Sequence, residues 1–216
     1  MEKTYLTDKH INSVELIGYY GGDETHALSA WTSTRRELDE ERLARLPQML
    51  KTLAENGHET PFEKSFLHFL VTCDIASHIH MIKHRIAVSV NAESARYKEL
   101  KENKYYVPPD WPFELQERLR LYTESAQEAY HAAAAELTPL LGRKRAKESA
   151  RFFLPYNSQI TSDVGFNFRS FIHFQWLRNN CHAQDEIHEI AEQMLDLVRT
   201  TGAFNHSLEA FGYAKS

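Results

Sequence analysis

Lys83-His84-Arg85-Ile86-Ala87-Val88-Ser89-Val90-Asn91-Ala92-Glu93-Ser94-Ala95-Arg96-Tyr97 gathers four basic side chains, two serines, an asparagine and one carboxylate into fifteen residues. The stretch follows directly behind an apolar-faced segment, so it emerges from a folded body and is not a solvated tail. Fixed cations beside short hydroxyl and amide groups are what a protein needs to hold phosphates together with a polar base. A basic run by itself is usually solvated surface. Here a second polar cluster, from Arg151 to Arg178, accompanies it, and the pair points to a nucleotide-handling site.

Upstream, Asp74 can cap a helix in which Ile75, His78, Ile79 and Ile82 share a face. That helix delivers Lys83, His84 and Arg85 at its C-terminal end, where the dipole favours cations. The apolar run Ser65 to Cys73 reads as a buried strand. Residues 13–20 read as a strand running into a Gly21-Gly22-Asp23 turn. Thr34-Arg35-Arg36-Glu37 has capping-box form. It opens a helix with Leu38, Leu43, Leu46, Met49, Leu50 and Leu53 on one side, closed by Gly57. Downstream, the prolines within residues 104–112 forbid a helix there. Phe113 to Leu137 is a long helix with Leu115, Leu119, Tyr122, Ala126 and Ala129 in register, and Arg143 to Phe153 is a second, stopped near Pro155. Gln159 to Phe168 is extended. Arg169 to Arg178 and His182 to Thr200 are helical, the latter with Ile187, Ile190, Ala191, Met194 and Leu195 inward. Helices dominate with a few separated strands, so the class is α+β or mixed α/β.

A chain of 216 residues can build one sizeable core, and a single domain over residues 1–216 is expected. The formal net charge of −5 argues against bulk attraction to nucleic acid, so an anion must be bound at a local basic site. No apolar stretch approaches the ~18 residues of a membrane span. The N-terminus lacks an apolar signal core, which favours the cytoplasm. Cys73 and Cys181 are too few for a disulfide framework and lack metal-site spacing.

Several chemistries can be weighed on the residues. His182, Glu186 and His188 match no standard zinc pattern, and no metal is expected. Cys73 sits in a buried apolar run, whereas Cys181 lies beside His182 in a basic neighbourhood and stays open as a nucleophile. There is no Gly-x-Gly-x-x-Gly and no P-loop, so a dinucleotide would not bind by the Rossmann device. His58-Glu59-Thr60-Pro61-Phe62-Glu63 places an imidazole, carboxylates and a hydroxyl at a proline-fixed bend, either a capped turn or a ligand-facing one. On a helix starting near Arg169, His173 shares its face, while Arg178 falls about two and a half turns on and need not.

Taken together, these segments resemble the flavin-dependent thymidylate synthases, the ThyX family. The family signature of Arg-His-Arg, a spacer, Ser and then Arg-Tyr stands here as Lys83-His84-Arg85 with Ser94-Ala95-Arg96-Tyr97. His58 to Glu63, Arg151 with Leu154-Pro155 and Asn157, Asn167 with Arg169-Ser170, and Leu177-Arg178 with His182-Ala183-Gln184 also match, in the family's order, over roughly residues 13–200. The chain departs from the pattern in five places. Lys83 replaces an arginine, one extra residue lies before Asn91, Ala92 then Glu93 follow where the family has Glu at once, and His80 and His173 stand at positions usually Gln and Asn.

The resemblance implies a twisted sheet flanked by helices and a homotetramer with shared sites. It implies conversion of dUMP to dTMP, with methylenetetrahydrofolate giving the one-carbon unit and NADPH reducing a bound FAD that supplies hydride. By resemblance Arg178 is the catalytic group, stabilising the uracil as N3 loses its proton. Lys83, His84, Arg85, Asn167 and Arg169 would grip the FAD, with Thr60 at its phosphates, His58 near the flavin and His173 in the flavin-side Asn position. Ser94, Ala95, Arg96 and Arg151 would hold the dUMP phosphate and sugar, and His80, Lys83, Ala92, Glu93 and Arg178 complete the substrate set. The altered loop keeps two rival products open, 5-hydroxymethyl-dUMP and the product of UMP methylation. A non-catalytic flavin- or nucleotide-binding protein is the rival of another class.

Overall fold

The computed structural model describes residues 10–94 and 104–214, so the expected substrate residues Ala95 and Arg96 lie outside the described residues. Four strands, β1 (Ser13–Tyr20), β2 (Phe66–Asp74), β3 (Val88–Ala92) and β4 (Gln159–Asn167), form one sheet in the order β1-β2-β4-β3. Eight α-helices accompany them among the described residues: α1 (Asp23–Trp31), α2 (Glu40–Glu55), α3 (Ile75–Met81), α4 (Phe113–Leu141), α5 (Arg143–Ala150), α6 (Phe168–Arg178), α7 (Asp185–Thr200) and α8 (Asn205–Ala210). The expected mixed α/β fold with helices flanking a sheet is the one observed.

Cross-strand contacts fix the strand directions. Asn12 bonds Asp74 at 2.9 Å while Gly21 lies against Ser65, so β1 and β2 run antiparallel. His68 meets Asp163 at 2.6 Å and Thr72 meets Thr161 at 3.0 Å, which sets β2 and β4 antiparallel. Asn167 N donates to Ala87 O and Glu93 N to Thr161 O, which does the same for β3 and β4. In β2 the period-2 pleat buries Leu67, Phe69, Val71 and Cys73 completely and leaves Phe66, His68, Leu70 and Thr72 on the opposite, partly open face. On that open face the Phe66 ring lies across Gly165, where an added Cβ would come within 2.2 Å of Phe66 Cζ.

The chain packs into two compact units. Among the described residues, one comprises 10–13, 71–83, 91–94 and 104–162. Within it α4 packs along α5, and Tyr130, Ala134 and Ala150 form a small apolar cluster with Ala133 and Leu154. The buried stripe of α4 is Gln116, Thr123, Gln127, Tyr130 and Ala134, not the expected Leu115–Ala129 stripe. Polar residues are tolerated inward because they find partners: Gln116 donates to the carbonyls of Pro109 and Trp111, and Thr123 pairs with Asn157. Leu121 and Tyr122 stay 56% and 62% exposed.

The other unit comprises residues 14–70, 84–90 and 163–214. Its core is aromatic: Phe62, Phe168, Phe171, Phe174 and Phe204 are fully buried, with Phe168 and Phe204 stacked at 5.2 Å. Ile187, Ile190, Ala191, Met194 and Leu195 of α7 face inward as expected. Helix α1, unforeseen in the sequence, begins where Gly22 adopts φ 153° and Asp23 N donates to the Ala203 carbonyl at 2.8 Å; a Cβ added at Gly22 would come within 2.5 Å of that carbonyl oxygen. A buried polar chain ties α1 to α8. Ser207 Oγ donates to Asp23, His26 Nδ1 donates to Ser207 Oγ at 2.8 Å, and Ser65 Oγ donates to His26 Nε2 at 2.7 Å. Burial pushes the His26 pKa down to about 4. Helix α2 also differs from expectation: its cap is Asp39, which accepts from Arg42 N at 2.9 Å, and the Thr34 box takes no part. No helix among the described residues is long and apolar enough to cross a membrane.

Candidate functional site

Most of the expected cofactor residues gather on α6 and the segments pinned to it. Asn167, the last residue of β4, caps α6 by accepting from Ser170 N at 2.8 Å. Ser170 Oγ donates to Ile86 O at 2.7 Å, and Asn167 N donates to Ala87 O at 3.3 Å. The His84–Ala87 segment is thus fastened to the first turn of α6, and Ala87 takes a positive φ of 51° to make the join. Non-glycine residues rarely hold that conformation unless the surroundings impose it.

At the start of α6, Arg169 is clamped by two carboxylates. Its Nε donates to Glu59 Oε2 and its Nη1 to Glu63 Oε1, both at 2.6 Å. These bonds, Glu63 first, raise the guanidinium pKa. The clamp closes on the 3-10 turn Thr60–Glu63, which buries Phe62 and leaves the Thr60 hydroxyl and the His58 ring exposed. Two carboxylates around one guanidinium leave this end of the helix with a formal charge of −1.

At the end of α6 the situation is reversed. Arg178 Nε donates to His84 Nε2 at 3.0 Å. The His84 ring stands edge-on to Phe174 at 5.0 Å and to His173 at 6.1 Å, and His173 lies 5.8 Å from Trp176. Burial, then the charges of Arg178 and His173, push the His84 pKa down to about 4. His84 is therefore neutral near pH 7, with its proton on Nδ1 and its Nε2 lone pair turned to the guanidinium. No carboxylate among the described residues pairs with Arg178, Lys83 or Arg85, and the last two are exposed. The two arginines of α6 stand nine residues apart, about 14 Å along the helix axis at ~1.5 Å per residue.

The expected substrate residues fall mainly in the other unit. His80 is half-buried on α3, Lys83 is exposed just beyond it, and Ala92 ends β3. Glu93 is tied to β4: its N donates to Thr161 O and its carboxylate accepts from Thr161 N, each at 2.9 Å. The carboxylate stands in for the carbonyl that a continuing strand would offer, and the chain leaves the sheet there. Ser94 is half-buried, and Arg151 is exposed at the head of the 3-10 turn Arg151–Phe153 without an ion pair among the described residues. Cys73 is fully buried, and burial with the neighbouring Asp74 pushes its thiol up to about 12, so it is no nucleophile. Cys181 is exposed.

Glu59 and Glu63 were visible in the sequence as part of a turn, but nothing in their spacing announces Arg169 as their partner, more than 100 positions away. The same holds for the pairing of His84 with Arg178, separated by 94 positions.

A family profile described as thymidylate synthase complementing protein matches residues 15–201. A flavin-dependent thymidylate synthase of Pseudothermotoga lettingae is 33% identical over 82% of this chain and 80% of its own length. One from Thermotoga neapolitana is 32% identical over 86% of this chain and 85% of its own. Among solved structures, the UMP/dUMP methylase PolB from Streptomyces cacaoi, bound with 5-Br dUMP, superposes with a TM-score of 0.77 at 25% identity, covering 95% of this chain and 96% of that one.

Proposed function

Because this chain belongs to the thymidylate synthase complementing protein family, and so is an enzyme of the flavin-dependent thymidylate synthase kind, we propose that it converts dUMP to dTMP with FAD as its cofactor. Methylenetetrahydrofolate would give the one-carbon unit, and bound FAD, reduced by NADPH, would supply the hydride. The observation that carries the reading is Arg178, a guanidinium held by a neutral imidazole with its charge unspent.

The chemical difficulty lies in making C5 of uracil nucleophilic. A thiol adding to C6 is one route; the buried Cys73 cannot provide it, and turnover that survives alkylation of the exposed Cys181 would remove the other thiol. The alternative is electrostatic. A fixed cation beside the pyrimidine stabilises the negative charge that develops as N3 loses its proton, and so raises electron density at C5. Arg178 suits this work because no acid among the described residues cancels its charge. Ser94, Ala95, Arg96 and Arg151 would hold the phosphate and sugar of dUMP, with His80, Lys83, Ala92 and Glu93 around them.

The residues around α6 fit a long, anionic dinucleotide. Lys83 and Arg85 are exposed cations without acidic partners among the described residues, Thr60 is exposed, and the two ends of α6 offer unlike surroundings. Arg85 is a cation suited to the phosphates, with the Thr60 hydroxyl in the same unit, and Lys83 is a further cation suited to an anionic group. Arg169, its charge already balanced by Glu59 and Glu63, is better suited to neutral hydrogen-bonding groups, as is Asn167. His58, His84 and His173 offer rings to the flavin side. Assembly as a homotetramer is part of the reading, supported by the exposed Leu121 and Tyr122 on α4, and sedimentation of the purified protein measures it.

Mass analysis of the product formed from dUMP, methylenetetrahydrofolate and NADPH tests the proposal. Gain of one methylene unit supports dTMP, whereas gain of a methylene plus an oxygen identifies a hydroxymethylase and overturns it. UMP is included because of one observation: the loop that departs from the family pattern commits its Glu93 carboxylate to β4. That commitment favours changed contacts near the sugar. In the same assay Arg178→Ala is expected to fold and retain flavin while turnover drops by about 10²–10³-fold. Undiminished product from that variant refutes the role of Arg178.

A further inference from the structure

The two arginines of α6 are restrained by opposite means. Arg169 is gripped by two acids and its charge is overbalanced. Arg178 is gripped through Nε by His84, an acceptor that carries no charge. A carboxylate in place of His84 could hold the same proton, but it would cancel the charge that the reaction needs. The imidazole takes the single Nε proton and leaves the four protons on Nη1 and Nη2 to other acceptors. We infer that His84 is a positioning residue for Arg178: it sets the plane of the guanidinium and leaves both the charge and the terminal nitrogens to the nucleotide.

The fold supports this role independently. The segment carrying His84 is anchored to the first turn of α6 by the Ser170–Ile86 and Asn167–Ala87 bonds, while the His84 ring grips the last turn. The ring is fixed sideways by Phe174, which is fully buried, and by His173. One segment thus brackets the helix at both ends, and the Ala87 conformation is the local cost of doing so. The inference deepens the nucleotide reading above and rests on it.

The test uses the full flavin-loaded chain and three substitutions: His84→Gln, a neutral acceptor; His84→Glu, a charged acceptor; and His84→Phe, no acceptor. Flavin absorbance per chain separates loss of cofactor from loss of positioning, since His84 is also in the cofactor set. Nitrogen-15 NMR of the Arg178 Nε–H, recorded without substrate, reads the contact itself. His84→Gln is expected to keep kcat within about tenfold and to protect the Nε proton from exchange. His84→Phe is expected to lose protection and about 10²-fold in kcat per bound flavin. His84→Glu is expected to protect the proton yet raise the KM for dUMP by about tenfold or more, because the guanidinium charge is cancelled. Wild-type kcat in His84→Phe, equal KM values in the Gln and Glu variants, or an unprotected Nε proton in the wild type overturns the inference. If His84→Phe does not fold, or folds without flavin, the Gln–Glu comparison decides. If the wild type makes no product while the proton is protected and His84→Phe exposes it, the function reading falls and the positioning role stands.

Discussion

Phe66 and Gly165 show how a single missing Cβ organises a sheet face. The ring occupies the space above the glycine backbone, and an added methyl group would meet it at 2.2 Å. Gly165→Ala is expected to destabilise the protein by about 1–3 kcal/mol, by overpacking. The loss should shrink when Phe66→Ala is made in the same chain, as urea unfolding of the single and double variants would reveal. Contacts of this kind are invisible in the sequence. So are the joins that make the candidate site: Arg169 to Glu59 and Glu63, and Arg178 to His84. The residue types were legible as cations, acids and imidazoles suited to a nucleotide. Their pairing was not, because it depends on how the chain returns to α6 after about a hundred positions, and no local period encodes that.

Elements with a clean period were legible, and those whose faces are settled by non-local partners were not. Strands β1, β2 and β4 and the inward stripe of α7 follow from apolar spacing. Helix α1 was hidden because Gly21-Gly22-Asp23 has the composition of a turn, and its start depends on the Ala203 carbonyl far along the chain. Strand β3 is only five residues long, and its alternating Val88, Val90 and Ala92 lie within a polar and basic run that hides the period. Helix α4 turns Gln116, Thr123 and Gln127 inward, against the apolar rule, because partners wait there for Gln116 and Thr123. The start of α2 makes the distinction measurable. Asp39→Ala should cost about 1 kcal/mol, since it removes the oxygen that receives Arg42 N. Thr34→Ala, in the sequence pattern that looked like the cap, should change stability by less than about 0.5 kcal/mol in the same denaturation experiment.

For the molecule as a whole, acid sensitivity follows from its buried imidazoles. His26 titrates at about 4 in the folded chain against an ordinary 6.5. At pH values between these, the unfolded chain takes up a proton that the folded chain refuses. Stability is therefore full above about pH 6.5 and declines as the pH falls toward 4, by on the order of 3 kcal/mol for this group. His84, also depressed by burial, acts in the same direction. Urea midpoints at pH 7.5 and 4.5 should show the decline, and His26→Gln should flatten it; an unchanged slope would remove His26 as its source. The two sulfhydryls divide as sharply as the two arginines of α6. One is sealed in the sheet and the other is open to solvent, three residues past Arg178. A maleimide dye should therefore attach once per native chain and twice after denaturation, giving a fluorescent reporter three residues from Arg178 with no engineered attachment point.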